Sequence, residues 1–239
     1  METATMARRA EAPQRRSVNE KVIRICAILF LLAGIIYLAC EAITAAAWHS
    51  PTYQYAYNYV SDLGIPIITH FDGRAIHSPL HFVMNFGFFA NGILFAIAYY
   101  LLLSEIQTKA KPIGYLFATI FGVGIVMVGM FPGYDWWGEW IHGIGAMMAI
   151  VVGNLAVMLA AMLSSRFIGR KWSVAFSVIM CVVGIASFAV FISIDNNPYA
   201  AVFERISVYT VMVWDIIFGC ILYRKSCIDS TDEEALHQA

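Results

Sequence analysis

The stretch "PLHFVMNFGFFANGILFAIAYYLLL", Pro79 to Leu103, decides the fold. It carries no charged side chain and exceeds the roughly 20 residues a helix needs to cross a bilayer core. Yet His77 stands just before it, His81 lies at its start and Asn85 follows one turn further in. Each of these groups is expensive in hydrocarbon, so a helix that keeps them has partners for them.

Five further runs have the same character: Val22 to Ala47, Ile113 to Phe131, Trp140 to Leu163, Trp172 to Ile194 and Phe203 to Tyr223. With 60% hydrophobic residues, 13% charged and a mean hydropathy of +0.71, the chain is not a soluble globule. The expected fold class is all-α, a polytopic membrane bundle of six transmembrane helices. It divides into a basic N-terminal tail (1–21), a six-helix domain (22–223) with a long loop at 48–78, and a C-terminal tail (224–239). The first run is too long for a signal peptide and reads as a retained span. A net charge of -1 gives no footing for nucleic acid, and five scattered cysteines offer neither a disulfide framework nor a CxxC motif.

Basic residues set the orientation. Thirteen fall on one set of connections, including Arg8, Arg9, Arg15, Arg16, Arg166 and Arg170, and only Arg74 and Arg205 fall on the other. The positive-inside rule then puts both termini in the cytoplasm, in the plasma membrane, or the inner membrane if the cell is bacterial. The outer side carries the acids Glu41, Asp62, Asp72, Asp135, Glu139, Asp195 and Glu204. These either attract cations to an outer mouth or merely accompany the charge rule.

The 48–78 loop is too long for a plain connector and too rich in Tyr, Ile and Pro for a solvated tail, so it is expected to fold over a site. Its aromatics Trp48, Tyr53, Tyr55, Tyr57 and Tyr59, like Tyr134, Trp136, Trp137 and Trp140 in a later turn, suit a headgroup belt. Gly114, Ala118 and Gly122 recur at four-residue spacing, as do Gly145, Ala149 and Gly153, which predicts close packing of spans 3 and 4.

"HSPLH" invites an HxxxH zinc reading. Ser78 as N-cap and Pro79 as first helical residue argue against it, because they leave His77 outside the helix. His81, Asn85, Phe88 and Gly92 share a face, which should line the bundle interior or clamp a neighbouring helix. His142, Glu204, Arg205, Glu41 and Asp62 lie at the same level, so one pocket can gather them. In such a pocket His81 or His142 serves as general base, and Asp62 or Glu204 orients it. Asn85, Arg205 and Glu41 contact ligand, with Arg205 either clamping an anion or forming a structural ion pair. A divalent metal, if one binds, takes His81, His142 and Asp62, and a b-type haem would sit between His81 and His142. Asn154 and Asp215 lie deeper, as a relay or as interhelical hydrogen bonds.

Taken in order, "SDLG" (Ser61 to Gly64), "SPLH" with Asn85 and Gly92, "FPG" closing span 3, "HGIGA" opening span 4, Gly153 with Asn154, and "ERISVY" opening span 6 carry a resemblance. The chain resembles the prokaryotic integral-membrane family catalogued as domain of unknown function 998. The resemblance spans nearly the whole chain, implies a six-helix bundle and marks Asp62, Asn85, His142, Glu204 and Arg205. A more distant likeness is to six-span proteins linked to lipid remodelling.

Four functions follow as expectations. The first is lipid handling, as a hydrolase or transferase with membrane lipids as partners and a polar pocket at the outer leaflet. The second is transport of a small cation or solute, the third a haem protein, and the last a membrane assembly protein with no small ligand.

Overall fold

The computed structural model describes residues 18–71, 73–168, 171–194 and 197–238. The basic residues Arg8, Arg9, Arg15, Arg16 and Arg170 and the acids Asp72 and Asp195 lie outside the described residues, as does the side chain of Arg166.

The protein is a bundle of six helices, each long and apolar enough to cross a membrane. They are α1 (Glu20–Ala47), α2 (His81–Glu105), α3 (Lys111–Met130), a fourth span made of α4 (Trp136–Met147) and α5 (Gly153–Ile168), α6 (Lys171–Ser193) and α7 (Ala200–Gln238). A π-helical turn, Met148–Val152, joins α4 to α5 within the fourth span. α7 continues as helix past Tyr223, where the apolar run ends. α1 starts where Asn19 caps it, its side-chain oxygen accepting from the backbone N–H of Lys21 at 3.1 Å and Val22 at 3.4 Å.

Packing order follows chain order and closes on itself. α1 packs on α2 and α7, α2 on α3, α3 on the fourth span, α5 on α6, and α6 on α7. In lipid no hydrophobic force drives these contacts, so close approach of small residues has to supply them. A Cβ on Gly92 would lie 2.9 Å from the Gly122 carbonyl oxygen, and one on Gly34 would lie 2.6 Å from that of Met212. The Gly114, Ala118, Gly122 ridge faces α2 rather than the fourth span: Gly114 abuts Leu103 and Tyr99, and Gly122 abuts Gly92. Contact between α3 and α4 runs instead through Gly124 and Gly145, where a Cβ on either would come within 2.8 Å of the other's carbonyl oxygen. α3 has small residues on two faces because it has a neighbour on each, and a single four-residue pattern finds only one of them.

At one end the interior is filled by aromatic rings from α1, α2, α3 and α7. Phe30 meets Phe95 and Trp214 edge-on at 5.6 and 5.4 Å, and Trp214 stacks on Phe218 at 4.3 Å. At the other end residues 48–80 fold into a cap. It contains a 3-10 turn (Ser61–Gly64) and a hairpin of β1 (Thr69–Phe71) and β2 (Arg74–Ile76), paired antiparallel with His70 opposite Ala75. Trp48 and Tyr53, expected in a headgroup belt, are instead 1% and 6% exposed and belong to the core. Trp137 and Trp140 are exposed, as a belt requires.

The start of α2 also differs from expectation. The helix begins at His81 with Leu80 as a cap residue that offers no side-chain bond. Ser78 does not cap it, because its hydroxyl donates to the Leu63 carbonyl at 2.6 Å and ties the cap to the bundle.

Candidate functional site

The cap is held to the helices by side chains that reach up from the spans. Glu204, in the first turns of α7, accepts from the backbone N–H of Val60 at 2.8 Å and from the Ser61 hydroxyl at 3.3 Å. Asn85 on α2 donates to the Gly64 carbonyl at 3.0 Å, and a Cβ on Gly64 would run into the Asn85 amide oxygen, so a larger residue there would displace that side chain. Arg205 donates to the carbonyls of Tyr55 and Asn58, to the Tyr53 hydroxyl, and to Glu41 on α1 at 3.2 Å. Four of the five guanidinium N–H groups are thus engaged. Arg205 is therefore a structural partner of Glu41 and the cap, not an open anion clamp.

Under the cap lies a cavity of about 320 Å³ between the fourth span and α6. Its polar end is formed by Ser61, Asp62, Arg74, His142 and Glu204, with Glu139 at the rim. Ala146, Met147, Ile150, Phe188, Phe191 and Ile192 line the rest. The gap exists because α6 packs on the π turn and α5 but makes little contact with α4. A smaller cavity of about 50 Å³ runs inward from the same wall, sharing Ser61, His142, Ala146, Ile150 and Glu204 and adding Tyr37 and Ser207.

Charge at the polar end is unevenly compensated. Asp62 is 2% exposed and pairs with Arg74, Nε to Oδ2 at 3.0 Å, while also accepting from the Tyr59 backbone N–H at 2.9 Å. The Arg74 guanidinium lies over the Tyr59 ring, 3.9 Å from its centre. Glu204, 8% exposed, has two hydrogen-bond donors but, among the described residues, no basic nitrogen within 4.0 Å. Glu139 at the rim has none either.

His142 sits in the middle of this wall. Its Nδ1 lies 2.9 Å from the Phe131 carbonyl oxygen. A carbonyl only accepts, so Nδ1 carries the proton, and in the neutral imidazole Nε2 keeps its lone pair. The "FPG" turn makes this possible: Gly133 has φ +75°, a conformation that favours glycine, and its Cα faces the imidazole so closely that a Cβ would be in van der Waals contact at 3.4 Å.

Three of the residues expected at a shared pocket, Asp62, His142 and Glu204, do line one cavity. His81 lines neither cavity: it is half-buried, its Nδ1 lies 3.2 Å from the Ser78 carbonyl oxygen, and its ring abuts Phe82. The expected metal set of His81, His142 and Asp62 is therefore not assembled, and no group of three such donors is placed to hold a metal among the described residues. Of the two histidines that would flank a haem, only His142 lines these two cavities. Arg74, Tyr59 and Tyr37 were missed as site residues. The signal for Arg74 was available: an arginine kept on the acid-rich side, twelve positions from Asp62.

Two deeper polar groups are interhelical bonds. Asn91 donates to the Ala33 carbonyl at 3.2 Å and to Asp215 Oδ2 at 3.4 Å, leaving Asp215 Oδ1 and Asn91 Oδ1 buried without a partner. Asn154 donates to the Ser207 carbonyl at 3.0 Å and accepts from Thr210 at 2.7 Å. In the cap, burial pushes the phenols of Tyr53 and Tyr55 above their ordinary ionisation range, with Arg205 opposing the shift.

Residues 31–220 match the family model described as protein of unknown function (DUF998), and the chain belongs to that family. No curated protein and no solved structure matches it.

Proposed function

Starting from a member of a family of unknown function, we propose that the protein handles a membrane amphiphile, with its polar head under the cap and its chain along the seam between the fourth span and α6. The composition of the lateral cavity carries this reading. Asp62, Arg74, His142 and Glu204 stand at one end, and Ala146, Ile150, Phe188, Phe191 and Ile192 along the rest. A water-soluble solute would meet an apolar wall, and a wholly apolar one would leave the polar end without partners. A volume of about 320 Å³ is at the small end of ligand sites, so it takes a head and the first methylenes while the chain continues into lipid. The distribution of basic residues supports a plasma-membrane protein with the cap outside and both termini in the cytoplasm.

A photoactivatable fatty-acyl lipid, incorporated with the purified protein into nanodiscs, tests the reading. Adducts are expected on residues 146–150 and 188–192, in excess over the exposed Val178 and Val182 of α6. Even labelling along α6 would overturn it.

Hydrolase or transferase chemistry is a second reading, favoured by Ser61 and His142 lining both cavities. In that reading the Ser61 hydroxyl turns from Glu204 to His142 Nε2 and gives it its proton as the Ser61 oxygen bonds to a lipid ester carbonyl, and the lipid alcohol leaves with the proton returned by His142 while water later releases the acyl group. Product release from reconstituted lipid that is equal in wild type, Ser61→Ala and His142→Ala would remove it. Asp215 lines neither cavity, so transport has no comparable support.

A further inference from the structure

We infer that the head this cavity accepts is a primary ammonium carried by an amphiphile; the inference rests on the lipid-handling reading and specifies its ligand. Three observations point to it. First, the polar wall is rich in acceptors and poor in available cations. Arg74 is engaged by Asp62, and Arg205, the other arginine at this end among the described residues, is engaged by Glu41 and the cap. Glu204 faces the cavity with two donors and no ion-pair partner within 4.0 Å among the described residues, the Arg205 charge acting on it only from a distance, and Glu139 adds a second carboxylate at the mouth. A buried carboxylate without a cation is costly, and a ligand cation removes that cost.

Second, the inner cavity behind Glu204 contains a polar atom with no partner. The Tyr37 hydroxyl is fully buried, lines this cavity and makes no hydrogen bond. About 50 Å³ is room for a water or a small terminal group and not for an acyl chain. Third, the remaining polar groups on that wall all have capacity to accept. Ser61 and Ser207 donate their hydroxyl protons to Glu204, to the carboxylate at 3.3 Å and the backbone carbonyl at 2.6 Å, which leaves their lone pairs open. In the neutral imidazole His142 Nε2 is an acceptor, because Nδ1 holds the proton.

An ammonium brings three N–H donors and one positive charge to this set. A phosphate or carboxylate head would bring more acceptors and a charge of the same sign as Glu204 and Glu139. A quaternary amine has the charge but no N–H to give. The apolar walls along Phe188, Phe191 and Ile192 then take the first carbons of the chain.

The test uses one chain with three heads. Oleylamine, oleyl alcohol and oleate compete against the photoactivatable lipid on the full-length protein in nanodiscs, at neutral pH. Oleylamine is expected to displace the label at a concentration at least about tenfold below that of oleate, with the alcohol between. Glu204→Gln is expected to remove the gap between oleylamine and the alcohol. Glu139→Gln, at the exposed rim and without a tie to the cap, should narrow it. If none of the three displaces the label, the lipid-handling reading itself fails. If all three displace it equally, or oleate does so best, the amphiphile site stands and the ammonium inference is overturned. The comparison on the wild-type protein decides this even where Glu204→Gln does not fold.

Discussion

Arg205 on α7 and Glu41 on α1 form an ion pair at 3.2 Å inside the bundle, at 6% and 2% exposure, although 164 positions separate them. Tyr209 donates to the same Glu41 oxygen at 2.8 Å, and the remaining Arg205 nitrogens hold the cap. The pair joins the first and last spans and fixes residues 53–58 above them, so the roof of the cavity depends on it.

Removing one partner of such a pair strands the other. Arg205→Ala is expected to cost about 3–5 kcal/mol, because Glu41 loses its cation in a buried site. The double variant Arg205→Met, Glu41→Leu should recover much of that loss while leaving the cap sensitive to protease around residues 53–58. Thermal unfolding in detergent reads the first effect, and limited proteolysis reads the second. A double variant as unstable as the single one would contradict the assignment.

Alkaline pH should loosen the cap. Burial favours the neutral phenol of Tyr53, so its folded pKa lies above its unfolded value of about 10. Below about pH 10 both states hold the proton and the stability is fully present. As pH rises above that value the unfolded chain ionises first and stability falls. Tyr53→Phe abolishes this contribution, so its stability should decline less steeply above pH 10 than that of wild type, although it starts lower for want of the bond to the Tyr59 carbonyl at 3.0 Å. Melting temperatures across this range give the slopes, and parallel slopes would refute the expectation.

Asp215 and Asn91 should respond unequally to substitution. Asp215→Asn supplies an amide N–H that can meet the unpartnered Asn91 Oδ1, so stability should stay within about 0.5 kcal/mol or rise. Asn91→Leu leaves Asp215 with no donor in the described structure and is expected to cost about 1–3 kcal/mol. Equal losses from both would mean that the carboxylate itself is needed there.

Gly124 and Gly145 set the position of α4, and hence of His142. Gly145→Val would drive side-chain carbons into the Gly124 carbonyl and Met127, costing about 1–3 kcal/mol and shifting the cavity wall. Gly143, two residues away, has nothing within 4 Å of its would-be Cβ. Gly143→Ala should therefore be neutral or gain up to about 1 kcal/mol from helix propensity. Unfolding curves of the two variants make the comparison, and matching losses would disprove the contact.

Much of the site's membership was legible and its connectivity was not. His142 and Glu204 stand out because each is polar at the end of an apolar run, and Asp62 because it is an acid in the long loop expected to fold over a site. His81 stands out for the same reason as His142, yet it lines neither cavity, and α2 starts two residues later than the Ser-Pro signal indicates. Trp48 and Tyr53 show the converse. Aromatic composition is the same in a headgroup belt and in a folded cap, and the burial of both rings and the hydrogen bonds of Tyr53 to Tyr59 and Arg205 tell them apart.

By itself the sequence determined six membrane-spanning helices and their approximate bounds, because hydrocarbon thickness sets a minimum apolar length and backbone groups in lipid must bond within the helix. Only the tertiary structure decided that Arg74 pairs with Asp62, that Arg205 pairs with Glu41, and that Glu204 faces a cavity with no ion-pair partner within 4.0 Å among the described residues. The Arg74–Asp62 pair depends on how the cap folds, and the placements of Arg205 and Glu204 depend on how each helix is rotated when glycines such as Gly92, Gly124 and Gly145 let the backbones touch, which is a property of the packed bundle rather than of any one segment.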